Sequence, residues 1–411
     1  MTSRFPILAV FAFAQAAMAQ SLAGLWSATV TVNDVEIPFR MEFSGEGTNV
    51  RGWFFNGDDK VPSTSGHLEN GALVLAFAHY ATELHATLKD GLLEGEYGSA
   101  RRFYPFKAKP YVAQPQREAS VPAIAGLWEI GVKSPKGESA WRLIVRQSGA
   151  EASSAILRVD GDTGALTGSY RDGKFVLSHF SGARPALLTL TPQSDGTLAV
   201  SLTDGRGKSD LVATRPAMAR AKGLPEPTDP SRHTSVKDPA EPFHFSFPDL
   251  NGRVVSNDDA RFEGKVVIVS IMGSWCPNCH DEAPFLAALY RKYRGDGLEI
   301  VAISFEEAEQ LKNPTRLRAF ITQYGIEYTV LLAGEQSELN AKMPQGVNLN
   351  CWPTTFILGR DGRVRGVHAG FPGHASGELR TEAEREVTST VEELLAVRAQ
   401  ALAHRYQSNM S

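Results

Sequence analysis

The chain has 411 residues, enough for two or three domains that each bury a core of their own. Its 42 basic and 46 acidic residues leave a net charge of −4, which gives no electrostatic ground for a nucleic-acid partner. Three cysteines in a chain of this size are too few for a disulfide-stapled scaffold.

Residues 1–19 (MTSRFPILAVFAFAQAAMA) place Arg4 ahead of an apolar run from Ile7 to Ala14, with small residues at Ala17 and Ala19. That is the order of a secretory signal peptide, with the cut expected before Gln20. The apolar run is shorter than the ~20 residues that span a bilayer. The expectation is an exported protein, in the periplasm or secreted beyond it, with no membrane span once the signal is removed. Export bears on the cysteines at 276, 279 and 351. An odd count leaves at least one thiol unpaired or paired only transiently, and two cysteines three residues apart point to chemistry.

Residues 20–112 and 120–218 echo one another. Leu22-Ala-Gly-Leu-Trp26 recurs as Ile124-Ala-Gly-Leu-Trp128, and Phe55-Asn-Gly-Asp58 faces Val159-Asp-Gly-Asp162. Glu69-Asn-Gly-Ala-Leu-Val-Leu faces Arg171-Asp-Gly-Lys-Phe-Val-Leu, and Phe106-Lys-Ala-Lys-Pro110 faces Val212-Ala-Thr-Arg-Pro216. A repeat this long implies two copies of one domain, since solenoid units are shorter. Trp26–Val32 alternates in the manner of a strand, Ala155–Val159 less cleanly, and Asn70-Gly71 and Asp172-Gly173 suit tight hairpin turns. Each copy is expected to be a small all-β barrel or sandwich. Its use is open between binding a ligand or partner and scaffolding.

Residues 219–242 are rich in proline, with Pro225, Pro227, Pro230, Pro239 and Pro242. They read as a semi-extended linker that holds no long helix. From 243 the rhythm changes. Asn251-Gly252 marks a hairpin, and the apolar run 265–272 a buried strand. Leu286, Leu289, Tyr290 and Tyr293 fall on one helix face, as do Leu317, Phe320, Ile321 and Tyr324. A second buried strand is expected over 298–305. Thr354–Leu358 and Val364–His368 flank Asp361-Gly362 as an antiparallel hairpin, and a helix over about 381–398 closes the chain. The order predicts an α/β sandwich over 243–400.

Cys276-Pro-Asn-Cys279-His280 satisfies two patterns: the Cys-x-x-Cys-His of covalent haem attachment and the Cys-x-x-Cys of a redox dithiol. Cys276 stands where a buried strand gives way to a helix, with Pro277 at the first helical position, where its missing N–H costs nothing. A helix N-terminus favours a thiolate, and a protonated His280 would add positive charge. Cys276 is therefore expected to be exposed and activated, and Cys279 placed to resolve a mixed disulfide.

Gly273-Ser-Trp275-Cys-Pro-Asn-Cys279, with Pro284 eight residues after Cys276, resembles the active site of thioredoxin-fold oxidoreductases. Trp352-Pro353-Thr-Thr-Phe356 resembles their cis-proline loop. Asn251-Gly252-Arg-Val-Val, Phe262-Glu-Gly-Lys-Val-Val267 and Asp361-Gly362 extend the likeness to the exported TlpA/ResA-like branch, over roughly 243–398. The resemblance implies reduction or exchange of disulfides in exported proteins, without a cofactor or metal. Cys276 would be the nucleophile, Cys279 the resolving thiol, and Cys276–Cys279 the redox disulfide. Glu282 would tune a thiol or relay a proton, and Pro353 would shape the substrate edge, with Trp275, His280 and Trp352 in support. Exported proteins and a membrane or soluble electron donor are the implied partners. The plainer readings are an exposed helical Glu282 and an ordinary turn at Pro353.

The chain departs from that pattern in places. Ser270 stands where thioredoxins keep a buried Asp, and Trp352 is larger than the usual residue before the proline. Cys351, two residues before Pro353, is either an idle packing thiol or one that regulates the dithiol through a mixed disulfide. Other functions fit less well. Haem would need a second axial ligand, for which Met343 is the candidate, yet no apolar helix bundle surrounds it. Structural zinc needs four ligands, and one pair is present. Val269 and Gly273 stand where the peroxiredoxin pattern Pro-x-x-x-Thr-x-x-Cys has its Pro and Thr. A binding protein built on the duplicated β half, with the redox domain as accessory, remains the alternative.

Overall fold

A computed structural model describes residues 22–113 and 120–408, from 398 onward as backbone only. The expected signal peptide at 1–19 lies outside the described residues. Two antiparallel all-β modules precede a C-terminal α/β domain.

Both modules are meanders with the same succession of strands. In the first, the strand Gly24–Val32 buries Trp26, Ala28, Val30 and Val32 and leaves the residues between them half-exposed. Trp26 Nε1–H donates to the Leu22 carbonyl at 2.9 Å, and Trp128 Nε1–H donates to the Ile124 carbonyl at 2.8 Å. Asn70-Gly71 and Asp172-Gly173 have positive φ throughout, as two-residue hairpin turns require.

The modules part company in closure. In the second, Ala140–Ser148 pairs with Gly126–Gly131 on one side and Glu151–Arg158 on the other, closing an eight-strand barrel. The first is an open nine-stranded sheet. Its strand Arg51–Asn56 pairs at the free edge with Asp59–Pro62, which leaves no continuous ladder for Ser65–Glu69. The counterpart strand Glu151–Arg158 meets only the two residues Gly161–Asp162 there, so its other half pairs with Leu166–Arg171. Phe180 of the second module fills the open side of the first, with ring centroids 4.7 Å from Phe39, 5.3 Å from Phe54 and 5.2 Å from Tyr97.

The proline-rich segment carries the short helices Pro216–Ala221 and Pro230–His233, and then Ser235–Val236 pairs with Gly346–Val347. It is packed down rather than left as a tether.

The C-terminal sheet runs Thr329–Glu335, Leu298–Glu306, Val266–Met272, Thr354–Leu358, Val364–Ala369. The first three strands are parallel, and the last two are antiparallel to their neighbours. Thr329–Glu335 has no counterpart in the sequence reading, because its half-buried edge position and Gly334 blur its periodicity. Val266–Met272 is buried along its whole length, with helices Pro277–Tyr293 and Thr315–Tyr324 and the long Glu378–Ser408 against the sheet.

Candidate active site

Cys276 caps the helix Pro277–Tyr293 directly after the central strand, and Pro277 takes the first helical position. A buried ion-pair network fixes the turn before it. Ser274 donates its backbone N–H to Glu306 Oε1 at 2.7 Å and its hydroxyl to Oε2 at 2.8 Å. Arg316 donates to Ser274 Oγ at 2.8 Å and to Glu306 Oε2 at 2.7 Å. Sequence reasoning missed Glu306 and Arg316: they come from a strand end and a separate helix, and no spacing ties them to the cysteines.

Cys276 is 3% exposed, a correction to the expected exposure. Its Sγ lies 3.4 Å from the Trp352 carbonyl oxygen, and it lines a cleft of about 460 Å³. Cys279 is equally buried but does not line the cleft. Burial first, then the hydrogen bond and charge of the Cys276 sulfur, push the Cys279 thiol well above its ordinary range. The pair is thus asymmetric, with one sulfur at the cleft and the other slow to ionise. The Trp352–Pro353 bond is cis, as the resemblance implies. Trp275 and Trp352 meet edge to face with centroids 5.3 Å apart, and Trp275 Nε1–H donates to the Phe305 carbonyl at 2.8 Å.

Glu282 is buried, not the exposed glutamate of the plainer reading. It accepts from Ser270 Oγ at 2.9 Å and Thr355 Oγ1 at 2.6 Å, and burial outweighs both bonds to raise its pKa to about 7. Ser270 therefore does not leave the site without an acid. The carboxyl arrives from the helix instead of the strand.

His280 is buried and neutral, which corrects the expected cationic help to the thiolate. Burial pushes its pKa well below the ordinary value. Nε2 lies 2.9 Å from the Ser274 carbonyl and must donate, so in the neutral ring Nδ1 accepts from Tyr324 OH at 2.9 Å. With both nitrogens engaged, His280 is not available as an iron ligand. Met343 packs with Val267, Val269 and Ile271, on the sheet face opposite the one that Val266, Ile268 and the two cysteines share. The first module reaches the same histidine: the Tyr80 and His280 rings are 4.5 Å apart.

Cys351 is fully buried beside Val159 and Ala369. Burial pushes its thiol up to about 12, so little thiolate exists near neutral pH and the packing role is favoured.

The second module forms the far wall of the cleft, and its turn Asp160-Gly161-Asp162 docks beside the dithiol. Asn278, between the two cysteines, donates Nδ2–H to the Asp160 carbonyl at 2.6 Å. Gly161 bridges to Phe371 with φ +126°, and a Cβ there would overlap the Phe371 carbonyl and the Asn278 side chain. Arg184 donates to Asp281 Oδ2 at 2.6 Å and to the Asp162 carbonyl at 2.9 Å. Burial opposes its charge, but Asp281 and Asp162 more than offset this and hold its pKa above the usual range.

The AhpC/TSA family model matches residues 236–367. The thioredoxin-like protein YneN of Bacillus subtilis is 32% identical over 126 residues, which are 31% of this chain and 68% of YneN. The thiol–disulfide oxidoreductase ResA of the same organism is 28% identical over 130 residues, 32% of this chain and 66% of ResA. The chain belongs to the ResA-like thiol–disulfide oxidoreductases of the thioredoxin fold. A crystal structure of a putative thiol:disulfide interchange protein DsbE from Chlorobium tepidum is 23% identical and covers 39% of this chain and 99% of its own, at a TM-score of 0.31. This oxidoreductase carries both β modules outside the stretch that the family model matches.

Proposed function

We propose that the protein is exported and reduces or exchanges disulfides in other exported proteins, with Cys276 as nucleophile and Cys279 as resolving thiol. The observation that carries the reading is the asymmetry of the pair: Cys276 caps the helix and lines the cleft, while Cys279 lies one turn deeper with a raised pKa. Glu282, whose charge acts on Cys279 and whose pKa is near 7, would take the proton that Cys279 must lose. Cis-Pro353 would shape the substrate edge, a role supported by the contact of the preceding Trp352 carbonyl with Cys276 Sγ. Residues 20–112 and 120–218 are read as two copies of one domain, supported by the matched tryptophan hydrogen bonds, and 219–242 as the joint to the redox domain. No described helix is long and apolar enough to cross a membrane. The signal-peptide pattern of residues 1–19 supports an extracytoplasmic setting, and a dithiol that reduces its substrates turns over only with a separate electron donor. The binding-protein alternative is disfavoured because the second module forms part of the wall at Cys276.

A Cys279→Ala variant tests this. Cys276 should hold its substrates as stable mixed disulfides that mass spectrometry identifies and that a Cys276→Ala control lacks. Equal traces from both variants overturn the mechanism. Glu282→Gln should remove the inflection near pH 7 from the rate at which the mixed disulfide is resolved.

A further inference from the structure

The cleft between the second module and the dithiol has a chemistry of its own. Its volume of about 460 Å³ lies within the ~300–1,000 Å³ of small-ligand sites. Both of its sides are pinned: Asn278 and Gly161 tie the module down on one, and Asn350 Nδ2 reaches the Lys136 carbonyl at 3.5 Å on the other. Cys276 opens onto this space and is almost wholly covered, so a disulfide that reaches its sulfur must enter the cleft.

The charges lining the cleft are unevenly matched. Lys136 pairs with Asp160 at 2.7 Å, and Arg184 with Asp281 at 2.6 Å. Arg158 meets Asp204 only at 3.8 Å, lies over the Trp141 ring at 4.5 Å, and has a buried Nε with no hydrogen-bond partner. Arg206, exposed on the turn after Leu198–Asp204, forms no ion pair among the described residues. Burial first, and then the charge of Arg206, hold Arg158 below its usual range although Asp160, Asp204 and Glu138 oppose them. Two guanidiniums with one long ion pair between them suit a carboxylate. Trp275 and Trp352 add apolar surface beside the sulfur.

We propose that this cleft is the substrate site for short acidic peptides in disulfide form: a carboxylate pairs with Arg158 and Arg206 while the disulfide meets Cys276, and rigid folded surfaces are kept out by the second module. The peptide is either free or the flexible tail of a larger protein, the chemistry at the cleft being the same. The inference rests on the thiol–disulfide reading above. The Cys276 thiolate attacks one substrate sulfur, the substrate S–S bond breaks, and the leaving thiolate takes a proton from solvent. Cys279, after losing its proton, attacks the Cys276 sulfur. This forms the Cys276–Cys279 disulfide and releases the second peptide thiolate. Two electrons pass from the dithiol to the substrate, and an external dithiol reductant returns them.

The test uses the reduced full-length protein and Arg206→Glu. The probes are glutathione disulfide, neutral 2-hydroxyethyl disulfide, native ribonuclease A as a rigid folded disulfide, and a folded carrier with a glutathionylated cysteine on a flexible acidic tail. Glutathione disulfide should oxidise the protein at least about tenfold faster than ribonuclease A, and Arg206→Glu should lower the ratio of the glutathione to the hydroxyethyl rate about tenfold. Rapid reaction of the tailed carrier extends the site to tethered peptides, and slow reaction restricts it to free ones. An unchanged ratio in Arg206→Glu, or ribonuclease A as fast as glutathione disulfide, overturns the proposal while leaving the exchange reading standing. Failure of every probe to oxidise the protein overturns both.

Discussion

The two β modules share a turn and use it on different neighbours. In the first, Asn56 Oδ1 accepts from Ala165 N–H of the second module at 2.8 Å, and Gly57 lies against the Ala165 side chain. In the second, the matching turn 160–162 docks on the redox domain through Asn278 and Phe371. One local motif thus joins three domains in sequence. The modules differ in self-sufficiency, because the second closes its own barrel while the first is completed by Phe180 from its neighbour. A hairpin arm of four residues in one copy and two in the other separates the outcomes.

The sharpest way to break this comparison is Phe180→Ala. Loss of a buried Phe should cost about 3–5 kcal/mol, and its effect should fall on the first module. Hydrogen exchange should show lost protection in Val35–Ser44 and Ala72–Phe77 with Ala140–Ser148 largely spared. Equal loss in both modules would show that they fold as one unit.

Arg184→Met attacks the other seam. It leaves Asp281 and Asp162 without their buried partner, at about 2–4 kcal/mol, somewhat below the full cost of a broken buried pair because the site is partly open. Alkylation of Cys276 should speed up as the second module loosens, and an unchanged rate would mean that the turn 160–162 holds the cleft alone.

Acid should strain both modules together. Burial holds His79, in the first, and His179, in the second, at about 4, against 6.5 when unfolded. The unfolded chain therefore binds protons that the folded chain refuses. Stability is complete above pH 6.5 and should fall by about 1.4 kcal/mol per pH unit per histidine down to about pH 4. Glu282 has the opposite sign: its contribution is complete below pH 4.5 and is lost as the pH rises to about 7. His280 and His368, also held down by burial, add to the same slope. Urea unfolding across pH should therefore show it reduced in His79→Gln by one histidine's share, about 1.4 kcal/mol per pH unit, and not abolished.

The smallest expected effect sharpens the kinship of the copies. Trp26→Phe and Trp128→Phe each remove one buried N–H···O=C bond, and each should cost about 1 kcal/mol by urea unfolding. A large difference between them would undo the equivalence of the two copies.

The candidate site was legible in part. The cysteine spacing, Pro277, Glu282 and the Trp352-Pro353 loop stand in short motifs, and motifs of that length survive without knowledge of the fold. Glu306 and Arg316 were not legible, because their bearing on Ser274 is a contact between elements with no shared period. His280 was legible as a residue and misread as a charge: its pKa is set by Phe320, Tyr324 and Tyr80 packed around it, the last from another domain.

By itself the sequence determined what depends on neighbours a few residues apart. Strand alternation, helix faces, hairpin turns and the dithiol at a helix start all follow from backbone geometry and side-chain periodicity. Tertiary structure decided what each surface faces. The uneven alternation of Ala155–Val159 has its cause there: Ala155, Ile156 and Leu157 are all buried, and Val159 packs on Cys351 and Ala369 of the redox domain. It also decided that Cys276 looks into a cleft walled by the second module, because docking joins surfaces far apart in the chain and leaves no period for the sequence to show.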